Sequence, residues 1–165
     1  VMLSAETAAG KYPVETVEAM ASICLEAERA EEVTIDADFT NKRFGRIDQS
    51  IAMGALFTAY HLGCKAILAL TESGSTALWM SRHRIDVPIY GLTSQIVSQR
   101  KMAVYRNVMP ILMPNFADRD EALQKAEMLL VESGVLKPGD TYAITCGEPM
   151  GHRGGTNMLE VVRVG

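Results

Sequence analysis

The chain has 165 residues, of which 48% are hydrophobic and 22% are charged, with 16 basic and 20 acidic side chains and a net charge of −4. This length fits one domain of ordinary size, and the composition excludes disordered, collagen-like and low-complexity chains. The acidic balance argues against a nucleic-acid partner, because such binding needs a clustered basic surface.

Membrane, disulfide and metal signals are also lacking in the sequence. No apolar run approaches the roughly 20 residues that cross a bilayer, and no signal peptide opens the chain. The three cysteines have apolar neighbours, which predicts buried, reduced thiols: Cys24, Cys64 and Cys146. The three histidines have no ligand-like spacing, which predicts no metal site: His61, His83 and His152. We therefore expect a soluble, cytoplasmic protein with no membrane partner.

The first elements read as a remnant of another domain. VMLS, at 1–4, is typical of the tail of a buried strand, and Pro13 with apolar residues at spacings of three and four predicts a helix over 13–29. Such a pair cannot bury its own apolar face. The periodicity then fails and charges crowd in, so we predict a remnant at 1–30, a linker at 31–46 and a domain at 47–165.

Beyond the linker, apolar strands alternate with helices, which predicts an α/β sheet covered on both faces. The predicted helices span 48–62, 74–83, 94–105 and 118–133, and the predicted strands span 66–71, 88–93, 108–113, 141–146 and 157–164.

Helix ends support these limits. Asp48 is placed to cap the first of these helices, Asp118 and Glu121 form a D-x-x-E capping box, and Gly134 follows the fourth helix. From Gln49 to Cys64 the chain has no charged side chain, whereas a surface helix should carry a charged stripe. Either this helix is central to its domain or it forms a subunit or interdomain contact.

Two loops could hold a phosphate. TESGST, at 71–76, ends a buried strand and opens a helix, and it offers a glycine, hydroxyl groups and free amides, although Ser and Thr are also the commonest residues of an ordinary helix cap. Glu72 would repel phosphate if it faced the site. GEPMGHRGGTN, at 147–157, has four glycines with His152 and Arg153 as donors, although it also suits a long hairpin. The loops form one site only if their strands are neighbours.

Several long motifs resemble the pyruvate kinase family. They are VMLSAETAAGKYPVETV, IAMGALFTAYHLGCKAILALTESGSTAL, LKPGDTYAIT and GGTN, and together they extend the resemblance over nearly the whole chain. The first motif resembles the segment that closes the family's catalytic (β/α)₈ barrel, and the others resemble its C-terminal domain. The resemblance implies a three-layer α/β/α fold whose five-stranded mixed sheet has the order 3-2-1-4-5, with strand 5 antiparallel. It therefore places the two loops side by side at the switch point.

The resemblance also implies a function. Pyruvate kinases transfer a phosphoryl group from phosphoenolpyruvate to ADP with Mg²⁺ and often K⁺, and the groups that do so lie earlier in the barrel, so we expect no catalytic residue and no cofactor in this chain. Ser4, Glu6 and Thr7 match the segment after the last barrel strand but complete no active site here. The implied partners are the catalytic barrel and the other subunits of a tetramer.

In the family, the C-terminal domain binds phosphorylated activators between these two loops. The resemblance implies that one set of residues holds the phosphate and closes over it: Thr71, Ser73, Gly74, Ser75, Thr76, His152, Arg153, Gly154 and Gly155. Glu72 and Ser75 stand where many fructose-bisphosphate-activated relatives carry a basic residue. A sugar monophosphate or AMP, which needs less positive charge, is therefore the expected effector.

Two other functions remain open. In one, the uncharged helix and the last strand form subunit contacts, the loops bind nothing, and the domain is purely structural. In the other, the domain is an independent phosphate-handling enzyme, which the lack of a recognisable nucleophile or acid–base pair disfavours.

Overall fold

The computed structural model describes residues 1–30 and 43–165. The chain divides into two compact units, Val1–Val33 and Thr34–Gly165. The first unit contains α1 (Ala5–Ala8) and α2 (Pro13–Ala30), and the second contains the sheet. Most of the predicted linker, 31–42, lies outside the described residues, so the division into remnant, linker and domain stays a prediction.

Four helices and five strands follow one another in the described part of the second unit. In chain order they are α3 (Ile47–His61), β1 (Ala66–Leu70), α4 (Ser75–Ser81), β2 (Ile89–Thr93), α5 (Ile96–Met102), β3 (Val108–Leu112), α6 (Arg119–Glu132), β4 (Thr141–Gly147) and β5 (Thr156–Arg163). Each predicted helix and strand of 47–165 is present, with α4 and α5 somewhat shorter than expected.

The strands form one mixed sheet in the order β3-β2-β1-β4-β5. β1 runs parallel to both β2 and β4, β2 runs parallel to β3, and β5 is antiparallel to β4. The predicted α/β sheet, its strand order and its antiparallel last strand are thus confirmed. Because β1 and β4 are neighbours and parallel, the turn after β1 and the loop after β4 leave the sheet at the same edge.

The core lies on both faces of the sheet. Ile67 and Ala69 of β1 face a cluster that includes Met80 of α4 and residues of α3, whereas Leu68 faces a second cluster that includes Leu130 of α6. Alternate residues of one strand are therefore buried on opposite faces, as in a sheet covered on both sides. This arrangement accounts for the apolar run AILAL.

Helix α3, which has no Asp, Glu, Lys or Arg after Asp48, packs against α4, β4 and β5 with a side that includes Ala52, Ala55 and Leu56. Phe57 and Tyr60 on the same helix are each 42% exposed. The helix is therefore central to its domain along one side and also presents uncharged side chains to the surface.

Two predictions of local structure were wrong. Residues 1–4 form no strand, and Val1 and Met2 are largely exposed, because a strand needs a neighbour to satisfy its backbone groups and the described part of the first unit contains only helices. Asp48 does not cap α3 either. The N-cap residue is Arg46, and Asp48 lies inside the first turn, where its carboxylate binds the Arg46 guanidinium.

The other helix ends agree with expectation. The Asp118 carboxylate accepts a hydrogen bond from the Glu121 backbone amide at 2.9 Å, so it caps α6. Gly134 follows the last turn with φ +76°, and its amide donates to the Val131 carbonyl. Cys64 and Cys146 are buried free thiols as predicted, whereas Cys24 is only half-buried.

Candidate functional site

A cleft lies at the edge of the sheet where the parallel strands end. It is bounded by the ends of β1, β2 and β3 and by the β4–β5 loop. Its lining residues are Leu70, Thr71, Glu72, Leu92, Thr93, Ser94, Met113, Pro114, Asn115, Phe116, Gly147, Met150, Gly151, His152, Gly154 and Thr156. Ligands of open α/β sheets bind at this edge, at the point where the strand order reverses. Here that point is β1, because β2 and β3 lie on one side of it and β4 lies on the other.

The two predicted loops meet at this cleft. The Thr76 and Thr156 hydroxyl groups lie 2.8 Å apart, and the two residues are 1% and 6% exposed. This hydrogen bond joins the first turn of α4 to the first residue of β5. The expected convergence of the loops is therefore present, and a buried side-chain contact holds it.

The β1–α4 turn is stabilised by its own hydroxyl groups. The Thr71 side-chain oxygen accepts a hydrogen bond from the Gly74 amide at 3.0 Å, and the Ser73 hydroxyl donates to that of Ser75 at 3.2 Å. Thr71 thus shapes the turn in addition to lining the cleft.

The β4–β5 loop folds back on itself. The Gly155 amide donates to the His152 carbonyl at 3.1 Å, while the Asn157 side chain accepts from the Glu148 amide and donates to its carbonyl, at 2.9 and 2.7 Å. These bonds fix the shape of the loop. The volume of the cleft is about 40 Å³, which is space for a few water molecules.

The predicted phosphate-binding residues divide into two groups. Three of them line the cleft: Thr71, His152 and Gly154. The others, among the described residues, lie on the same two loops but outside the lining: Ser73, Gly74, Ser75, Thr76, Arg153 and Gly155. Arg153 is exposed. The structure thus brings the two loops together without placing every predicted side chain in the cleft.

The charge in the lining differs from the expectation for an anion site. Glu72 lines the cleft, and its carboxylate accepts a hydrogen bond from the Gln95 side chain at 3.3 Å. The Ser98 hydroxyl donates to the Glu72 carbonyl at 2.7 Å and fixes the backbone there. Apart from this carboxylate, the lining residues within 1–30 and 43–165 include one ionisable side chain, that of His152.

Sequence reasoning missed Thr93, Ser94 and Asn115. Thr93 is the last residue of β2, Ser94 directly follows it, Asn115 follows β3, and all three polar residues line the cleft. The signal was present, because polar residues that directly follow parallel strands gather at one edge of the sheet.

The chain offers little for other chemistry. Within residues 1–30 and 43–165, no group of three or more histidine, cysteine, aspartate or glutamate residues could hold a metal ion, and no helix is long and apolar enough to span a membrane. Burial raises the pKa of the Cys146 thiol, with nearby Arg119 opposing the shift. A thiol with a raised pKa is a poor nucleophile.

The fold and the cleft define an α/β domain with a candidate ligand site at the carboxyl ends of its parallel strands. Residues 49–162 match the family described as "Pyruvate kinase, alpha/beta domain". The chain belongs to the pyruvate kinase family, as the resemblance in the sequence predicted.

Curated relatives agree over the whole chain. It is 40% identical over 165 residues to a "Pyruvate kinase" of Buchnera aphidicola subsp. Baizongia pistaciae and to "Pyruvate kinase II" of Salmonella typhimurium, covering 99% of this chain and 34% of each relative. It is 36% identical over 166 residues to a "Pyruvate kinase" of Sporosarcina psychrophila, covering 100% of this chain and 28% of that relative. The chain spans about a third of the length of such relatives.

Proposed function

We propose that this chain is the regulatory domain of a glycolytic phosphotransferase that converts phosphoenolpyruvate and ADP into pyruvate and ATP. The chain's cleft binds a phosphorylated effector, and the reaction takes place on the catalytic barrel of the parent protein, where Mg²⁺ and K⁺ act. The observation that carries this proposal is the meeting of the β1–α4 turn and the β4–β5 loop, fixed by the Thr76–Thr156 hydrogen bond.

The effector is a sugar monophosphate or AMP. The lining contains hydroxyl and amide donors from Thr71, Thr93, Ser94 and Asn115, which suit phosphate oxygens. Glu72 disfavours a ligand with two phosphate groups more than a ligand with one, because its carboxylate repels each phosphate charge. The same carboxylate can accept hydrogen bonds from the hydroxyl groups of a sugar.

Binding requires the β4–β5 loop to move. The cleft's volume of about 40 Å³ is far below the roughly 300–1,000 Å³ of typical small-molecule sites. Displacement of the loop would widen the cleft and would let exposed Arg153 turn toward the phosphate. An effector that favours this open arrangement would shift the population toward it, which is the thermodynamic basis of regulation by a ligand.

Amide chemical shifts test the binding proposal. We expect ribose 5-phosphate, glucose 6-phosphate or AMP to move the resonances of 71–76 and 147–157, whereas ribose, glucose and adenosine should leave them in place because they lack the phosphate. Loop resonances that stay unmoved at millimolar concentrations of all three phosphates would refute the proposal.

Two arginine variants separate a specific contact from general charge. Arg153→Gln should weaken binding of the effective phosphate, since a charge-assisted hydrogen bond to phosphate is lost. Arg163→Gln removes an equally exposed guanidinium, but residue 163 pairs with Thr141 at the opposite end of β5 from the loop. Equal weakening by both substitutions would show that only net charge matters.

A second function, subunit association, has its own support. Phe57 and Tyr60 are exposed on α3, Val161 is 40% exposed on β5, and β5 is an edge strand of the sheet. Edge strands and uncharged exposed faces are typical sites of pairing between chains. Sedimentation velocity tests this function, which requires self-association without any effector and is refuted by a monomer at all concentrations.

A further inference from the structure

An ion pair between a buried carboxylate and an exposed guanidinium lies at the start of α3. The Asp48 side chain is 1% exposed, and its two oxygens accept hydrogen bonds from Arg46 Nε at 2.9 Å and Arg46 Nη2 at 2.7 Å. The Gln49 amide donates to the same carboxylate at 2.9 Å. Such a two-pronged contact fixes the guanidinium in orientation as well as position.

The β4–β5 loop rests against this pair. A Cβ atom at residue 154 would lie 3.2 Å from Arg46 Nη2 and 4.0 Å from Asp48 Oδ2, so the Gly154 backbone lies directly beside the two charged groups. Gly154 has φ +71°, a conformation that glycine adopts without strain. Gly154 also lines the cleft, so this one residue is in contact with the ligand site and the ion pair.

We propose that Arg46 and Asp48 are positioning residues that hold the β4–β5 loop over the cleft and thereby oppose ligand binding. The effect on ligand affinity rests on the proposed function. The effect on the position of the loop does not. Since the cleft is too small for a sugar phosphate while the loop is held, each contact that favours the held loop lowers the apparent affinity.

The ion pair between Arg46 and Asp48 is suited to holding the loop, because its two hydrogen bonds fix the guanidinium in one orientation. A buried carboxylate needs its partner, so Arg46 cannot leave Asp48 without a large cost. The Arg46 side chain is nevertheless 56% exposed, so its outer surface is available to neighbouring groups.

Hydrogen exchange in the whole chain tests the role of the pair. Arg46→Gln alone would leave a buried unpaired carboxylate and could unfold the unit, so the test variant is Arg46→Gln with Asp48→Asn, which removes both charges together. A control is Glu26→Gln with Arg29→Gln, since that exposed ion pair of α2 lies outside the unit that contains the loop.

We expect the amides of Glu148 and Gly155 to exchange about tenfold faster or more in the test variant, because the loop loses the close contact between Gly154 and the Arg46 guanidinium. Amides of α6 should exchange as before, and the control variant should leave the loop unchanged. Unchanged loop exchange in the test variant, or an equal increase in α6, would overturn the proposal.

Titration with ribose 5-phosphate tests the effect on the ligand. The test variant should bind it more tightly than the unmodified chain, in proportion to the faster loop exchange. Faster exchange with equal or weaker binding would overturn the control of the cleft by the pair. If ribose 5-phosphate binds neither the test variant nor the unmodified chain, the proposed effector is refuted. The hydrogen-exchange result would still decide whether the ion pair holds the loop.

Discussion

Removing the hydroxyl group of Thr76 or Thr156 tests the contact that joins the two loops. Thr→Val preserves the shape of the side chain, so each single substitution removes one hydroxyl and leaves the other buried without its partner. The two residues are 1% and 6% exposed, and no buried side-chain polar atom of the described residues lacks a hydrogen bond. An unsatisfied buried group of this kind costs about 1–3 kcal/mol of the free energy of unfolding.

The double variant should cost less than the sum of the two single variants, because it removes both members of the pair and leaves neither unsatisfied. We expect a coupling energy of about 1–2 kcal/mol, in the range found for residues in direct contact. Thr145→Val is a suitable control, since the Thr145 hydroxyl is also buried but its bond to the Leu68 carbonyl is long, at 3.5 Å. Its cost should be the smallest of the three single substitutions.

Urea unfolding followed by tryptophan fluorescence measures these energies. Trp79 is the only tryptophan of the chain and lies on α4 against the core, so its signal reports on the unit that contains the sheet. Additive costs for Thr76→Val and Thr156→Val would mean that the hydroxyl groups do not interact, and the account of how the loops are joined would then be wrong.

Three further substitutions test the local structure by urea unfolding. Gly74→Ala should lower the free energy of unfolding by about 1–3 kcal/mol more than Gly134→Ala does. Both glycines have positive φ, but only the new Cβ at residue 74 would meet a side chain, that of Met102 at 2.9 Å. An equal loss of stability in the two variants would contradict this reasoning. Burial raises the Tyr142 pKa and its hydrogen bond to the Glu127 carboxylate raises it further, so the stability due to this tyrosine is present below about pH 10 and falls as the pH rises above it. Tyr142→Phe should therefore lose less stability between about pH 9 and 11 than the unmodified chain, and an equal loss would refute the assignment. Asp118→Ala should lower the free energy of unfolding by about 1 kcal/mol through loss of the α6 cap, while Asp118→Asn should lower it little. An alanine variant as stable as the unmodified chain would contradict the capping role.

The sheet could be predicted because its signals are local. AILAL and its neighbours are apolar runs of strand length between helical patterns, and both core clusters require such strands. The strand predicted for VMLS was wrong because the prediction used the same local signal, an apolar run. Such a run forms a strand only when another strand can pair with it. The sequence also indicated a cap at Asp118 correctly but not at Asp48, whose nearer partner is the Arg46 guanidinium.

The site could be predicted only in part. The resemblance predicted the strand order, and this order makes the loops neighbours. The direction of each loop side chain depends on contacts between distant residues, which no local pattern specifies. Arg153 is exposed, Thr76 is buried against Thr156, and Arg46 lies beside Gly154. None of these three placements follows from spacing along the chain.

A crystal structure of the chain grown with ribose 5-phosphate tests the central claim most directly. The account predicts phosphate density within hydrogen-bonding distance of the β1–α4 turn near Thr71 and of the β4–β5 loop, with that loop displaced outward. An empty cleft at saturating ligand, or phosphate bound to one loop alone, would contradict it.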